Sequence, residues 1–455
     1  MAEDDKERKA WLSRRELLRR AGLGTAAVVY SGAAAKTAVA GPLKFHGREA
    51  ANQLKIIQWV HFVPAYDKWF DGTYTKIWGR KNDCEVTVDH VNLTDLPARA
   101  ASEVAARSGH DLFQHLSPPA AYEDQVIGLG DLIQQATKKH GPMKGLARRS
   151  AYNPKTKKWF GWPDNYVPDP VHYRRDWWGE VGERPTTWDA VSRAAPKLKA
   201  NNHPIGIGMS NELDSNMALI ALMQCFGAYI QNAEAKVTLN RKATRDAVNF
   251  MASLYRRGMV SDVFAWVPAS NNNAMLAGRI SLAFNAISIM RTAELQNPSL
   301  ARNLAIAPIP KGPKQRLGLE HVMGVYTIWK FAANKRLAKK FVLDMMVPTY
   351  NGHFLNSKFY NFPGWPGAVK NIKQKLNADP SGKYGVLDTI SRTATTNVGY
   401  PGFSNAAIDE VFNTWLIPQM FAEVAQGRKS AADSVSDTTK EVQRIFRKWR
   451  NRGKI

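Results

Sequence analysis

The chain contains little cysteine and no long uninterrupted run of apolar residues. Only Cys84 and Cys225 occur among 455 residues, which excludes an iron–sulfur cluster or a zinc site built from cysteines. Cys84 lies in a strand-like segment and Cys225 in a helix-like one, so we expect free thiols rather than a disulfide. No apolar run reaches the roughly 20 residues of a permanent membrane-spanning helix. The composition therefore predicts a soluble protein with a packed apolar core.

Sequence signatures of common catalytic sites are also missing. No serine stands in a G-x-S-x-G sequence, and no H-E-x-x-H pair occurs. Gly128 and Gly130 form only part of a dinucleotide fingerprint, because the third glycine is absent. Asp164 and Asp214 are candidates for the paired carboxylates of a glycoside hydrolase, but the sequence does not place them together. We therefore predict neither catalytic residues, nor a metal, nor a cofactor.

Positive charge, in contrast, is abundant. The chain has 63 Lys and Arg against 39 Asp and Glu, which gives a formal net charge of +24. The cations are scattered, for example over 335–340 and 444–452, and are not gathered into one nucleic-acid-binding patch. We interpret them as a solvated basic surface and predict no nucleic-acid partner. An anionic ligand, or attraction to anionic lipid and cell-wall surfaces, is the alternative.

The N-terminus resembles a twin-arginine export signal. Ser13-Arg14-Arg15-Glu16-Leu17-Leu18-Arg19 precedes a mildly apolar run (21–35) and an Ala38-Val39-Ala40 cleavage triplet. A basic amphipathic helix is the alternative. The arginine motif, the apolar run and the cleavage triplet follow one another in the order of an export signal, which favours export. We predict that 1–40 is a signal peptide recognised by the twin-arginine translocase. It holds eight Lys or Arg and five Asp or Glu, so its removal lowers the net charge by three. With no cysteine nearby, we expect a periplasmic protein without a lipid anchor.

The chain beyond this leader alternates short apolar strands with amphipathic helices. Strands are predicted at 54–60, 85–90 and 110–116, with helices at 66–81 and 96–107 between them. This β-α-β-α-β order predicts an α/β fold whose mostly parallel sheet carries helices on both faces. About 400 mature residues exceed the size at which one core keeps growing, so two lobes are expected.

The segment 158–191 indicates how the chain passes between those lobes. Pro163, Pro168 and Pro170 exclude a helix, so 164–170 is predicted to be extended. A short strand follows at 171–173, and Thr187 is predicted to cap the next helix.

The order of these motifs resembles the family-1 extracellular solute-binding proteins of carbohydrate ABC importers. Lys158-Trp159-Phe160-Gly161-Trp162-Pro163 is similar to the family's crossing strand, and Pro185-Thr186-Thr187-Trp188-Asp189 to its "P-x-T-W-(D/E)" helix start. Gly278–Asn285 and Leu304–Lys314 are similar to its "G-(K/R)-x-A-(M/L)" and "P-x-P-x-G" segments. Asn201–Ile207 is similar to its "x-P-(I/L/V)-x-(I/L/V)" segment, which predicts a strand there. The resemblance covers about 54–447. One departure is Ala286-Ile287-Ser288, which stands where the family often has "G-x-W".

The resemblance implies a two-lobed periplasmic binding protein fold of type II, with mixed or parallel sheets and a hinge. Lobe one is predicted to hold 54–167 and 326–361, and lobe two 168–325 and 362–455. A monomer with this fold would capture a carbohydrate or polyol by lobe closure and deliver it to the membrane subunits of an ABC permease. An exported carbohydrate-active enzyme and a binder of an anionic sugar derivative are the alternatives.

A sugar-binding cleft needs aromatic faces for the rings of the sugar and polar groups for its hydroxyls. Side chains at strand ends or in Pro/Gly loops can reach such a cleft. On that ground the aromatic candidates are Trp59, Trp365 and Tyr400, and the polar candidates are His61, Asp164, Asn165, Asn216 and Asn285. The resemblance adds His115 and Ser288 from the family's register.

Overall fold

The computed structural model describes residues 52–455. The predicted signal peptide, 1–40, lies outside the described residues. The described strands are β1 Gln53–Trp59, β2 Glu85–Val91, β3 Leu112–His115, β4 Tyr152–Asn153, β5 Lys158–Trp159, β6 Trp162–Pro168, β7 Val171–Arg174, β8 Leu282–Phe284, β9 Leu304–Ala307, β10 Gly318–Thr327, β11 Phe362–Pro363 and β12 Thr395–Thr396.

Helices of very different length connect these strands. The α-helices are α1 Pro64–Trp69, α2 Thr75–Lys81, α3 Leu96–Ala106, α4 Gly130–His140, α5 Gly145–Ala151, α6 Arg175–Glu180, α7 Trp188–Ala200, α8 Leu213–Cys225, α9 Lys242–Gly258, α10 Ser270–Leu276, α11 Ser288–Gln296, α12 Pro298–Asn303, α13 Lys335–Met346, α14 Asn351–Asn356, α15 Ile372–Asn377, α16 Val386–Thr393, α17 Ala406–Asn413, α18 Leu416–Ala425 and α19 Ala431–Asn451. Short 3₁₀ turns lie at Ala120–Gln125, Ser261–Phe264 and Pro366–Ala368, and a π turn at Phe70–Tyr74.

Two sheets organise the chain. The larger sheet has the strand order β11-β6-β10-β3-β1-β2, and β12 pairs with β10 at its side. In it β1 is parallel to β2 and β3, as predicted, whereas β10 is antiparallel to β3 and β6. The smaller sheet, β8-β7-β9, is antiparallel. The fold is therefore mixed α/β rather than mostly parallel.

The strand β6 lies inside the larger sheet, between the edge strand β11 and β10, despite two prolines, Pro163 and Pro168, which cannot donate to a ladder. Its pairing with β10 shifts register twice, which accommodates those positions. The predicted extended conformation here is thus confirmed. The predicted lobe boundaries fall in or beside β6, β10 and β11, three strands hydrogen-bonded in one sheet. Those boundaries stay predictions.

Several local predictions can be compared directly. Thr187 caps α7 as predicted, since its hydroxyl accepts the amide of Ala190 at 3.0 Å. The predicted helix at 66–81 is instead two α-helices joined by the π turn. The predicted strand at 201–207 is wrong: only Ile205 pairs there, in one bridge to Met259. Pro204 removes a backbone donor at the middle of that segment.

The helix α8 is buried at every one of its residues. It packs against β10 on one side and against α18 and α9 on others. A helix that is apolar around its whole circumference belongs in a core. Its amino-terminal end is therefore held firmly, and that end forms part of the site described below.

Candidate functional site

A cavity of about 460 Å³ lies between the strand ends of the larger sheet and a set of helices. It is lined by Leu93, Thr94, Leu96, Pro97, His115, Leu116, Ser117, Pro119, Ala121, Tyr122, Asn211, Glu212, Leu213, Pro268, Asp409, Glu410, Phe412, Asn413, Trp415 and Trp449. Its size suits a small solute, and concave sites of this kind are the usual ligand sites of proteins.

The first wall of the cavity follows from the sheet topology. Residues 93–97 come after β2, and residues 115–122 begin at the end of β3. Since β1, β2 and β3 are parallel, their carboxyl ends meet at one edge, where open α/β sheets bind ligands. Tyr122 is half-buried there and presents an aromatic ring to the cavity.

The second wall is built from helix ends. Glu212 caps α8: its carboxylate accepts the amides of Asp214 at 2.7 Å and Ser215 at 2.5 Å. Trp415 separates α17 from α18 with a left-handed backbone (φ 60°) and remains half-exposed. Trp449 of α19 completes this wall.

The two walls touch through a carboxylate. Asp409 of α17 accepts the amide of Ala121 at 2.9 Å and the side-chain amide of Asn413 at 2.7 Å. Burial raises the pKa of Asp409 to about 7. Burial, together with the charge of Asp214, raises the pKa of Glu212 to about 8.

The charge of the lining contrasts with the charge of the whole chain. Glu212, Asp409 and Glu410 contribute carboxyl groups, whereas no Lys or Arg is among the described residues that line the cavity. Glu410 is neutralised from outside, by an ion pair with Lys448 at 2.5 Å and a hydrogen bond from Trp449 at 2.6 Å. The site is therefore aromatic and acidic inside a protein of net charge +24.

A buried polar cluster lies next to this wall. His321 of β10 lies 3.2 Å from an oxygen of Asp169 and 3.4 Å from an oxygen of Asp214. Burial alone would lower the pKa of His321, but the charges of Asp214 and Asp169 outweigh it and raise the pKa to about 9. Asp214 also accepts the side-chain amides of Asn271 at 2.5 Å and Asn285 at 3.2 Å.

This arrangement predicts an unusual dependence of stability on pH. Burial raises the pKa of Glu212 and Glu320 to about 8 and of Asp409 to about 7. The folded state keeps protons that the unfolded chain has released, so stability falls as the pH rises through these values. His321 acts in the same direction, because its contribution is complete below its ordinary pKa and is lost as the pH rises through about 9. Burial lowers the pKa of four other histidines, which therefore affect stability only below about pH 6.5, where they titrate in the unfolded chain. They are His61, His115, His172 and His353.

From about pH 6.5 to about pH 8.5 the free energy of unfolding should therefore fall, by up to about 1.4 kcal/mol per pH unit for each titrating group, and the urea midpoint should fall with it. Glu320→Gln keeps an acceptor for the amide of Val398, which Glu320 binds at 3.0 Å, but cannot titrate. That variant should show a flatter dependence. A wild-type midpoint that stays constant or rises over this range would contradict the prediction.

The structure distributes the ten predicted site residues over several places. His115 lines the cavity, and its ring nitrogen lies 3.1 Å from the hydroxyl of Thr327. Asn216 lies behind the second wall and donates to the carbonyl of Phe412 at 2.9 Å. Asn285 and Ser288 belong to the buried polar cluster, and the Ser288 hydroxyl donates to Asn285 at 3.0 Å.

The remaining six lie outside the lining. The rings of Trp59 and His61 are tilted against each other with centroids 4.9 Å apart, and both contact the ring of Tyr360. Asp164 accepts the Tyr350 hydroxyl at 2.7 Å and the side-chain amide of its neighbour Asn165 at 2.8 Å. Trp365 and Tyr400 lie apart from these: Trp365 is fully buried against Trp162 (4.7 Å), and Tyr400 faces the guanidinium of Arg149 (5.5 Å). Ligand contact by these six stays a prediction.

Sequence reasoning missed Tyr122, Glu212, Asp409 and Trp415. Tyr122 follows β3, where the rule about strand ends pointed only to His115, so extending that rule further along the chain could have found it. Asp409 and Trp415 carried no such signal, because they come from helices far along the chain that approach the sheet edge only in the folded protein.

None of the helices within residues 52–455 combines the length and the apolar character that crossing a membrane requires. Within the same residues, no group of three or more His, Cys, Asp or Glu side chains could hold a metal ion.

Residues 61–358 match the family of bacterial extracellular solute-binding proteins, and the chain belongs to that family. This confirms the resemblance found in the sequence. A comparison with curated protein sequences finds no significant match.

Solved structures share the fold. A maltose-bound MalE3 of T. maritima is 16% identical, with 86% of this chain and 99% of that chain covered and a TM-score of 0.72. A sugar transporter protein of Arthrobacter chlorophenolicus with bound laminaribiose is 14% identical over 87% and 99% (TM-score 0.72). An ABC transporter solute-binding protein of Agrobacterium radiobacter, in complex with ribitol, is 12% identical over 87% and 99% (TM-score 0.69). The predicted fold, a two-lobed periplasmic binding protein, is confirmed.

Proposed function

We propose that the protein is the exported solute-binding component of an ABC importer, and that it captures a neutral carbohydrate or polyol. The observation that carries this proposal is the cavity of about 460 Å³, with aromatic rings and carboxyl groups but no cation among its described lining residues. Tyr122 and Trp415 supply faces for the C–H surfaces of a sugar ring, and Glu212 and Asp409 supply acceptors for hydroxyl groups. The sugar and polyol ligands of similar structures agree with this choice.

The alternative of an anionic ligand is not favoured. A uronate or sugar phosphate would have to leave water for a wall that offers carboxyl groups and no Lys or Arg to pair with its charge, which is costly. The enzyme alternative has no support from geometry either, since Asp164 lies on β6 and is bonded to Tyr350 and Asn165 rather than exposed in the cavity.

The protein would capture its ligand by closing the two walls of the cavity around it. The segments near residues 167, 325 and 362 would bend, and ligand bound to both walls would favour the closed form that the permease subunits recognise. The protein would act as a monomer with the lobes assigned from the sequence.

A thermal-shift screen of the mature protein tests this proposal. At least one neutral sugar or polyol should raise the melting temperature, and the same ligand at saturation should reduce the radius of gyration measured by solution scattering. The matched uronic acid of that sugar serves as the control and should bind more weakly. Stabilisation by uronates alone would overturn the assignment of a neutral ligand, and an unchanged scattering profile at saturation would overturn the closure step.

The route of export is also a proposal. The arginine pair at 14–15, the apolar run and the cleavage triplet support export by the twin-arginine translocase. Changing Arg14 and Arg15 to lysine should leave unprocessed precursor in the cytoplasm, as seen by immunoblotting of cell fractions. Mature protein at the normal level in the periplasm would count against this route.

A further inference from the structure

The carboxyl-terminal part of α19 concentrates positive charge that the proposed function does not use. Segment 440–454 contains a single acidic residue, Glu441. Its cations are Lys440, Arg444, Arg447, Lys448, Arg450, Arg452 and Lys454. Seven cations within about four helical turns repel one another unless partners neutralise them.

The helix presents several of these cations on one side. Val442, Ile445, Phe446 and Trp449 are buried and fix the inward face of the helix. The cations at 440, 444, 447 and 450 are exposed, and their spacing of three to four residues places them on one outward face.

Neutralisation of the seven cations is incomplete. Four form ion pairs, Lys440 with Asp437, Arg444 with Glu441, Lys448 with Glu410 and Lys454 with Asp124. Among the described residues, no carboxylate forms an ion pair with the other three, which are Arg447, Arg450 and Arg452.

Contacts within the protein hold two of these guanidinium groups in place. Arg450 donates to the carbonyl of Ala235 at 2.7 Å and lies 5.8 Å from the ring of Phe446. Arg452 lies 5.0 Å from the ring of Trp449. The charges are therefore presented by an ordered helix rather than by a free tail.

A groove of about 550 Å³ runs beside this face. Its lining residues are Glu234, Lys236, Val237, Gln443, Arg447 and Arg450. We call the three cations of this groove, Lys236, Arg447 and Arg450, the basic groove. Lys236 is exposed and, like Arg447, forms no ion pair within the described part of the chain.

We propose that the basic groove and the exposed face of α19 dock on the anionic phospholipid surface of a membrane. The cations lie on an open surface formed by α19 and the loop that holds Lys236, and not in an enclosed pocket, so they suit an extended anionic surface better than one small anion. Membership of an extracellular family favours a membrane over nucleic acid as that surface. Docking of this kind would be reversible and weakened by salt, because the attraction is screened within about 10 Å at 0.1 M.

The described part of the chain has no membrane-spanning helix. Docking would nevertheless keep the protein close to the membrane that holds the permease. It uses a surface separate from the three carboxyl groups of the cavity, so it does not depend on the identity of the ligand. Trp449 and Lys448 connect the two regions, since both contact Glu410 of the cavity lining, whereas Lys236, Arg447 and Arg450 do not line the cavity.

Co-sedimentation of the mature protein with vesicles tests the proposal. We expect binding to vesicles of phosphatidylcholine with phosphatidylglycerol at low salt, and loss of that binding with pure phosphatidylcholine or at high salt. The variant Lys236→Gln, Arg447→Gln, Arg450→Gln should lower the partition coefficient on the order of 100-fold, since each cation near an anionic surface contributes about fivefold.

A matched control removes the same charge elsewhere. Lys76, Arg80 and Lys81 are exposed on α2, near the acidic residues Asp83 and Glu85, and their replacement by glutamine should change binding less than about fivefold. A second variant, Lys236→Gln with Arg447→Gln, keeps the Arg450 bond to Ala235 and should still lose more than about tenfold. Melting curves establish that each variant is folded.

Three results would overturn the proposal. One is no binding to phosphatidylglycerol vesicles at low salt. Another is an equal loss in the control variant, which would mean that only net charge matters. The third is a preference for a non-membrane anion: inorganic phosphate that displaces the protein from vesicles, or DNA that binds more tightly than vesicles with the same dependence on the basic groove.

Discussion

Replacing His321 by alanine is expected to lower the free energy of unfolding by about 3–5 kcal/mol, because it leaves buried carboxylates without their cation. His321 lies 3.2 Å from Asp169 and 3.4 Å from Asp214, and all three side chains are buried. The measurement is the urea unfolding curve of the mature protein near neutral pH.

A double variant distinguishes this electrostatic effect from a simple loss of packing. Adding Asp214→Asn to His321→Ala removes one of the stranded charges and should recover part of the lost stability, a coupling of about 1–3 kcal/mol. His140→Ala, a half-buried histidine whose ring contacts the carbonyl of Met346, serves as the control and should cost less than the His321 change. If His321→Ala and His140→Ala lowered the free energy of unfolding equally, the charge-pairing role of the buried polar cluster would be contradicted.

Replacing Trp415 by alanine is expected to weaken binding of the sugar or polyol found by the screen by on the order of 10- to 1,000-fold. Stacking on an aromatic ring and the burial of its apolar face together contribute a few kcal/mol. Trp415 lines the cavity and is only partly buried, so part of its ring is available to a ligand. Isothermal titration calorimetry measures the change directly.

Trp177 provides a matched control for that experiment. It is also half-buried, but it stacks between the guanidinium of Arg174 at 3.5 Å and the ring of His203 at 3.7 Å, and it is not part of the lining of the cavity. Trp177→Ala should leave the affinity nearly unchanged. Normal binding by Trp415→Ala, with the melting temperature intact, would remove this tryptophan from the site.

The two signs of charge are used in different places in this protein. The exterior of α19 carries cations without carboxylate partners, whereas the cavity gathers Glu212, Asp409 and Glu410. A formal net charge of +24 leaves an anionic ligand as an alternative, whereas the lining of the cavity supports the neutral ligand proposed above. Total charge is a sum over the chain, and it says nothing about the sign of the field inside one cavity.

The sequence by itself determined the order of the elements and the family. Apolar periodicity located β1, β2 and α3, and prolines excluded a helix at 164–170, because these signals depend only on neighbours along the chain. Short motifs in a fixed order then identified the solute-binding family across about 54–447. The prediction of a strand at 201–207 was wrong because it also relied on a local pattern. The similarity to a family segment was given more weight than the effect of Pro204 on the backbone.

The tertiary structure alone decided which side chains meet. Asp409 and Ala121 are 288 positions apart in the chain and form one hydrogen bond across the cavity. Trp365, which the sequence placed in a rigid loop free to face a ligand, is fully buried against Trp162. Whether an aromatic ring binds a ligand or fills the core depends on what packs against it. That is a property of contacts between distant segments, and local sequence patterns do not encode it.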